Sequence, residues 1–240
     1  MGNKPVNFVS WYDAARFTNW LHNNQPTGAQ GAGTTETGAY TLQGGTTTPS
    51  NGLTVARELA ATWFLPNENE WYKAAYYNPT TSSYFDYPTS SNVAPTTAAS
   101  DADGDIINPA ANVANYNLGA DWNGQDGNLT TVGSADNSRT LTLESASPYL
   151  TFDQGGNVQE WNESLLTTTS RGVRGGSWLF TADSMRGSDR FSVDPTTEFS
   201  VLGFRVATAQ GPISVPEASA LVFGGLVTLA ALVARRYRRT

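Results

Sequence analysis

The chain contains no cysteine and one histidine, His22. The first absence excludes disulfides, thiolate nucleophiles and zinc sites built on sulfur. The second excludes any centre that needs two or three imidazoles. Charge is also scarce: 15% of the 240 residues are charged, against 39% hydrophobic. Acidic residues outnumber basic ones, so the net charge is -7. Arg235, Arg236, Arg238 and Arg239 crowd into the last six positions, and leaving them out moves the balance from -7 to -11. A surface of that sign repels phosphate backbones, which argues against a nucleic-acid partner and for cations.

What fills the sequence instead is Thr, Ser, Asn and Gly, the residues of turns and loops, together with 7 Trp, 10 Tyr and 10 Phe. That aromatic content asks for a sizeable buried core. About 210 residues precede a distinct tail, enough for one core and too few to require two. The composition predicts an α+β domain rich in irregular loops.

Two helices announce themselves by their caps. Ser10 and Asp13 form a capping box, with Asp13 as a shorter version of the usual glutamate, and Ala14, Phe17, Trp20 and Leu21 follow at helical spacing. Asn67 and Glu70 form a second box ahead of a stripe of Trp71, Ala74 and Ala75. Tyr40 and Leu42 mark one short strand, and the segments 173–178 and 202–207 read as core strands with close approaches at glycine. The acidic turn Asp101, Asp103, Asp105 lacks the glycine and glutamate of an EF-hand, because those positions hold Ile106 and Asn112. It reads as a solvated loop.

The C-terminal run Ala218 to Ala234 is uncharged and largely apolar on every face, and it stops at an arginine cluster. As a helix it would be about 26 Å long, near the lower limit for a bilayer core. The sequence therefore predicts a hydrophobic transmembrane helix over 218–234 with a basic cytoplasmic tail over 235–240. Just before it, Val215-Pro216-Glu217-Ala218-Ser219 opens a three-part order that resembles the PEP-CTERM sorting signal, although Ala218 stands where that signal usually has proline. The resemblance implies an exosortase-type processing enzyme as partner. It also implies an exported protein, membrane-anchored by this helix and released to the cell surface or extracellular matrix after cleavage. Met1 leads directly into periodic sequence with no signal-peptide run, so we expect a missing N-terminal part or a misassigned start.

Five phrases in order carry a further resemblance: PVNFVSWYDAARFTNWL at 5–21, FLPNENEWYKAA at 64–75, FDQGGNVQEWNE at 152–163, RGVRGGSW at 171–178 and LGFRVA at 202–207. Together they resemble the sulfatase-modifying factor, or formylglycine-generating enzyme, domain family. The resemblance implies a C-type-lectin-like fold over residues 1–209, with 210–217 as linker and sorting motif. Enzymes of that family hold copper between two cysteines. The corresponding positions here are Phe180 and Met185, so no bis-thiolate site can form. Relatives that use a three-histidine iron site are equally remote from a chain with one histidine. Neither a copper, an iron nor a zinc site is expected.

The resemblance also implies calcium. One set of ligands would be the carbonyls around Gly155, Gly156 and Val158 with the carboxylate of Glu160. A second would be Asn115, the carbonyl of Tyr116, and the loop of Asp126 and Asn128. Glycines let carbonyls converge and carboxylates supply charge to a hard cation. Arg174 and Arg205, in the strand motifs, fit buried ion pairs as well as a substrate-facing role. The reading that follows is a non-catalytic cell-surface or extracellular domain for binding or structure, with a glycan or peptide as possible ligand. The alternative is an enzyme of different chemistry built on Asp183, Asp189 and Asp194.

Overall fold

The first helix, α1 (Trp11–His22), begins where its cap predicts. The Ser10 hydroxyl accepts from the Asp13 N–H at 3.2 Å, and the Asp13 carboxylate accepts from the Ser10 N–H at 3.0 Å. Two of the N–H groups left over at a helix start are thereby satisfied. The buried face differs from the expected one. Trp11, Ala14, Ala15, Thr18 and Asn19 are buried, whereas Phe17 remains 42% exposed and stacks on Trp20 and Phe204. The stripe runs one position off because Thr18 and Asn19, polar as they are, satisfy themselves internally. Thr18 donates to the Ala14 carbonyl at 2.7 Å, and Asn19 donates to the Tyr40 carbonyl and accepts from the Tyr40 N–H.

The computed structural model describes residues 2–135 and 144–209. The chain divides into two compact units, Met1–Thr208 and Ala209–Thr240, and every element described here belongs to the first. After α1 come β1 (Trp63–Phe64) and α2 (Glu68–Tyr76), then β2 (Tyr77–Asn78), β3 (Ser83–Tyr84), β4 (Thr96–Thr97) and β5 (Val113–Ala114). The last third holds β6 (Gln159–Leu165), β7 (Arg171–Arg174), β8 (Phe191–Val193), β9 (Leu202–Phe204) and β10 (Ala207–Thr208). The cap of α2 forms as expected, with the Asn67 side chain accepting from Asn69 and Glu70 and the Glu70 carboxylate accepting from the Asn67 N–H at 2.7 Å.

The main sheet has the order β8-β7-β6-β9, antiparallel from β8 to β6 and parallel between β6 and β9. Its centre, β6, is absent from the sequence expectation because its sequence QEWNESL is polar. Burial on both faces is eased by partners for its polar groups: Asn162 donates to Glu68, and Trp161 donates to the Val9 carbonyl. Tyr40 makes a single bridge to Arg57 and Leu42 makes none, so the expected strand there does not form. The core gathers Trp11, Tyr12, Tyr40, Leu65, Trp161, Val173 and Leu202, joining the first helix to the late sheet. These ends meet directly: Phe8 donates to the Phe199 carbonyl at 3.0 Å, and Trp11 to that of Pro195 at 3.0 Å.

One part of the expected architecture is corrected. Among the described residues no helix is long and apolar enough to cross a membrane. α1, with 12 residues, rises about 18 Å, well short of the roughly 30 Å of a hydrocarbon core. The expected transmembrane helix over 218–234, the basic tail and the sorting motif at 215–219 lie outside the described residues. The hydrophobic C-terminal helix, the membrane as partner, the exosortase-type enzyme and the membrane-anchored localisation are therefore withdrawn.

Candidate functional site

At the two positions where the resemblance would place copper thiols, this chain builds something else. Met185 closes a short 3-10 turn, Ala182–Met185, and is fully buried against Tyr87 and Ala114. Its thioether belongs to an apolar cluster. Phe180 lies at the surface, 36% exposed, beside Leu179 at 45%. The loop opposite completes the patch: Asn117 donates to the Phe180 carbonyl at 2.9 Å and Leu118 to that of Trp178 at 2.8 Å. Asn117 and Leu118 both adopt left-handed backbone, φ 54° and 58°, a conformation that costs a leucine energy. Leu118 remains 41% exposed. The patch of Leu118, Leu179 and Phe180 is apolar, and none of the three carries a titratable group.

The calcium residues expected around Glu160 come together, but the carboxylate is already occupied. Glu160 Oε1 accepts from Arg205 Nη2 at 2.6 Å, and Oε2 accepts from Arg205 Nε at 2.5 Å and from Trp71 Nε1 at 2.7 Å. Gly156 has φ 77°, and a Cβ there would meet the Asn115 carbonyl oxygen at 2.2 Å. This glycine serves close backbone approach: Asn157 donates to the Asn115 carbonyl at 2.8 Å and Gly156 to that of Gly175 at 2.8 Å. Gly155 and Val158 are buried beside it. Glu160 therefore completes an ion pair, and its charge is neutralised from within the fold. Asp153, which the sequence reading passed over, accepts from the Gly133 N–H at 2.6 Å; burial pushes its carboxyl above the ordinary aspartate range.

The second expected set is only partly assembled. Asn115, directly after β5, donates to the Asn128 carbonyl at 2.8 Å and to Asn157 Oδ1 at 3.3 Å. Asn157 in turn accepts from the Thr130 N–H and donates to its carbonyl. Within this knot Asn115 Oδ1 and Thr130 Oγ1 are buried with no partner among the described residues. The Tyr116 carbonyl accepts from the Gly119 N–H at 3.1 Å, and Asp126 is exposed, without a hydrogen bond or ion pair among the described residues. Asn115 and Asn128 are thus brought together, and Asp126 is not drawn in. A buried amide oxygen without a donor is chemically suited to a hard cation. The set as built supplies oxygen but no charge.

The remaining candidates resolve into scaffolding. Arg174 pairs with Glu68, its Nε donating at 2.6 Å, and its guanidinium lies over Tyr72 at 5.0 Å. Asp183 pairs with Arg186 at 3.0 Å, and Asp194 accepts from Thr196. Among the described residues no three His, Asp or Glu side chains form a group that would hold a metal ion. His22 ends α1 and its Nδ1 meets the Thr62 N–H at 3.1 Å. Arg171 is fully buried, and no carboxylate among the described residues pairs with it. It donates to the carbonyls of Glu163 and Val55 and lies 3.6 Å over Trp11, and burial pushes its guanidinium down to about 10.

A polar-centred sheet, two capped helices and long ordered loops around a core without thiols define an α+β domain of one particular kind. The chain belongs to the sulfatase-modifying factor enzyme 1-like domain family, whose model matches residues 1–210. As it carries no cysteine, it lacks the catalytic thiols of the formylglycine-generating members. No curated protein matches it. Among solved structures it is similar to Treponema denticola variable protein 1, with 20% identity over 87% of this chain and 72% of that one, at a TM-score of 0.56. CarF is similar to the same degree, with 20% identity, coverage of 87% and 69%, and a TM-score of 0.56. At such identity the likeness shows the fold alone.

Proposed function

We propose that this chain is a non-catalytic binding domain on the formylglycine-generating-enzyme scaffold. One observation carries the reading: the position of the second copper thiol is Met185, sealed in an apolar cluster, while that of the first is Phe180, part of an exposed apolar patch. A surface of Leu118, Leu179 and Phe180 offers contact area and no group to move a proton or bind a redox metal. The alternative enzyme would need Asp183, Asp189 and Asp194 to act together, and two of these are engaged separately, with Arg186 and with Thr196. The test is incubation of the purified full chain with a sulfatase-type cysteine peptide, with and without copper, read by mass spectrometry. The peptide is expected unchanged. Copper-dependent loss of the thiol with aldehyde formation would overturn the proposal.

Calcium enters as a structural ion. The support is the buried Asn115 Oδ1, without a partner among the described residues, on the side chain that also bonds the Asn128 carbonyl, and the acidic balance of the chain adds to it. In this reading Glu160 contributes no ligand, because both its oxygens are engaged.

A further inference from the structure

A cleft of about 500 Å³ opens between the start of α1, the turn Gly52–Thr54 with the loop before it, and the segment after β8. Tyr12 stands at its edge. The residue is 2% exposed and its ring meets Trp11 edge-on at 5.6 Å. Its hydroxyl lines the cleft yet has no hydrogen-bond partner among the described residues. Gly52 lies directly beneath: a Cβ there would sit 2.6 Å from the Tyr12 oxygen. Since a tyrosine ring cannot fold aside as a flexible chain can, a glycine at 52 is what leaves room for this hydroxyl. Burial raises the Tyr12 phenol above its ordinary range; the buried Arg171 opposes that shift and Asp194 adds to it. At neutral pH the group is therefore a donor.

Asp194 supplies the complement. Its Oδ1 accepts from the Thr196 N–H at 2.9 Å and from the Thr196 hydroxyl at 2.7 Å, leaving Oδ2 without a partner among the described residues. The bond from Trp11 N–H to the Pro195 carbonyl ties this turn to the start of α1. The fold therefore fixes the donor relative to the acceptor. Asp194 is the only charged residue of the lining, which otherwise offers Thr and Ser hydroxyls and the apolar faces of Pro49, Leu53 and Pro195.

The chemistry of the pair narrows the ligand. A phosphate or carboxylate would face Asp194 with no cation in the lining to offset it. An ammonium would satisfy Asp194 and could donate to the Tyr12 oxygen, but it would leave the Tyr12 O–H proton without an acceptor. A neutral group that both donates and accepts fits both sides, and adjacent sugar hydroxyls are such groups, with C–H faces suited to proline and leucine. We propose that this cleft binds a neutral saccharide, with the Tyr12 hydroxyl donating to one sugar oxygen and Asp194 Oδ2 accepting from a neighbouring hydroxyl. The proposal rests on the reading of the chain as a binding domain and names its ligand class.

The test uses the full chain with maltotriose, lactose and chitotriose as probes in saturation-transfer NMR, and the neutral peptide acetyl-Ser-Ser-amide as control. At least one sugar should show transfer. Tyr12→Phe, which keeps the ring, and Asp194→Asn should each weaken it about fivefold, the scale of one lost hydrogen bond. The thermal midpoint of Tyr12→Phe should stay near that of the parent; Asp194→Asn, which also loses the charge held by Thr196, is compared well below its own midpoint. Absence of transfer to all three sugars, transfer only to the peptide, or affinities unchanged in both variants would overturn the assignment. Cleavage of a bound sugar, followed by chromatography, would instead overturn the non-catalytic reading while leaving the cleft as a saccharide site.

Discussion

Glu160 and Arg205 grip each other with two parallel hydrogen bonds, 2.6 and 2.5 Å long, across neighbouring parallel strands. β6 places Glu160 opposite Gly203, and Arg205 follows just beyond β9. The fork of the guanidinium matches the two carboxylate oxygens, a geometry that an ammonium could not reproduce.

Replacing Glu160 with Gln should therefore destabilise the fold by about 3 kcal/mol, the usual scale for orphaning one member of a buried pair. The loss should be the same in chelator and in millimolar calcium. Urea unfolding in both conditions checks it, and a loss that appears only with calcium would return Glu160 to the ligand role.

Calcium itself is predicted to act through Asn115. Free calcium at 100 times its dissociation constant should add about 2.7 kcal/mol of stability to the parent chain. Asn115→Ala should remove that increment, whatever it does to the calcium-free protein, while Glu160→Gln should retain it. Thermal unfolding of the three proteins across a calcium series is the measurement, and a parent that ignores calcium would end the idea.

Gly156→Ala is expected to be among the most damaging single-carbon changes. It combines a left-handed backbone, φ 77°, with a Cβ 2.2 Å from the Asn115 oxygen. Strain of about 1–2 kcal/mol from the backbone and a similar amount from overpacking put the loss near 3 kcal/mol. Gly124→Ala makes a useful comparison, since its φ is 71° with nothing within 4 Å of the added carbon; it should lose only the backbone part.

Asp194 gives a pH-dependent prediction. The Thr196 hydroxyl, and then its N–H, hold the Asp194 carboxyl below the ordinary aspartate range. A depressed folded-state value means a stabilisation that is complete above the unfolded pKa of about 3.9 and is lost as pH falls through the folded value. Thr196→Val should lower the melting midpoint between pH 5 and 7 and leave it unchanged near pH 2. An equal drop at both pH values would show that the hydroxyl acts by packing alone.

The helix starts were legible because a cap is written within four residues: Ser10 with Asp13, Asn67 with Glu70. The strand β6 was not, because its burial depends on partners such as Glu68 and Arg205, 94 and 45 residues away in sequence. Glu160 illustrates the same limit at the site. A glycine pair followed by a glutamate reads as a cation loop, and no local pattern shows that Arg205 and Trp71 also donate to that carboxylate. Tyr12 was legible only as a helix residue. That its hydroxyl lacks a partner follows from a glycine forty positions later, and no local pattern signals it.

Arg171 lies on Trp11 while bonding the carbonyls of Val55 and Glu163, and its neighbours are drawn from the whole length of the domain. Trp11 donates to the Asn162 carbonyl, and Asn7 to that of Ser200, 193 residues away. On a ribosome, then, α1 emerges well before β6, β7 and β9 and waits for them before its apolar side is covered. A chain with closing contacts this distant should fold slowly and late, with Trp11 and Tyr40 exposed to other nascent chains in the interval. Arrest of synthesis before residue 205 should yield protease-sensitive chains, and release past it should yield protection across both ends at once.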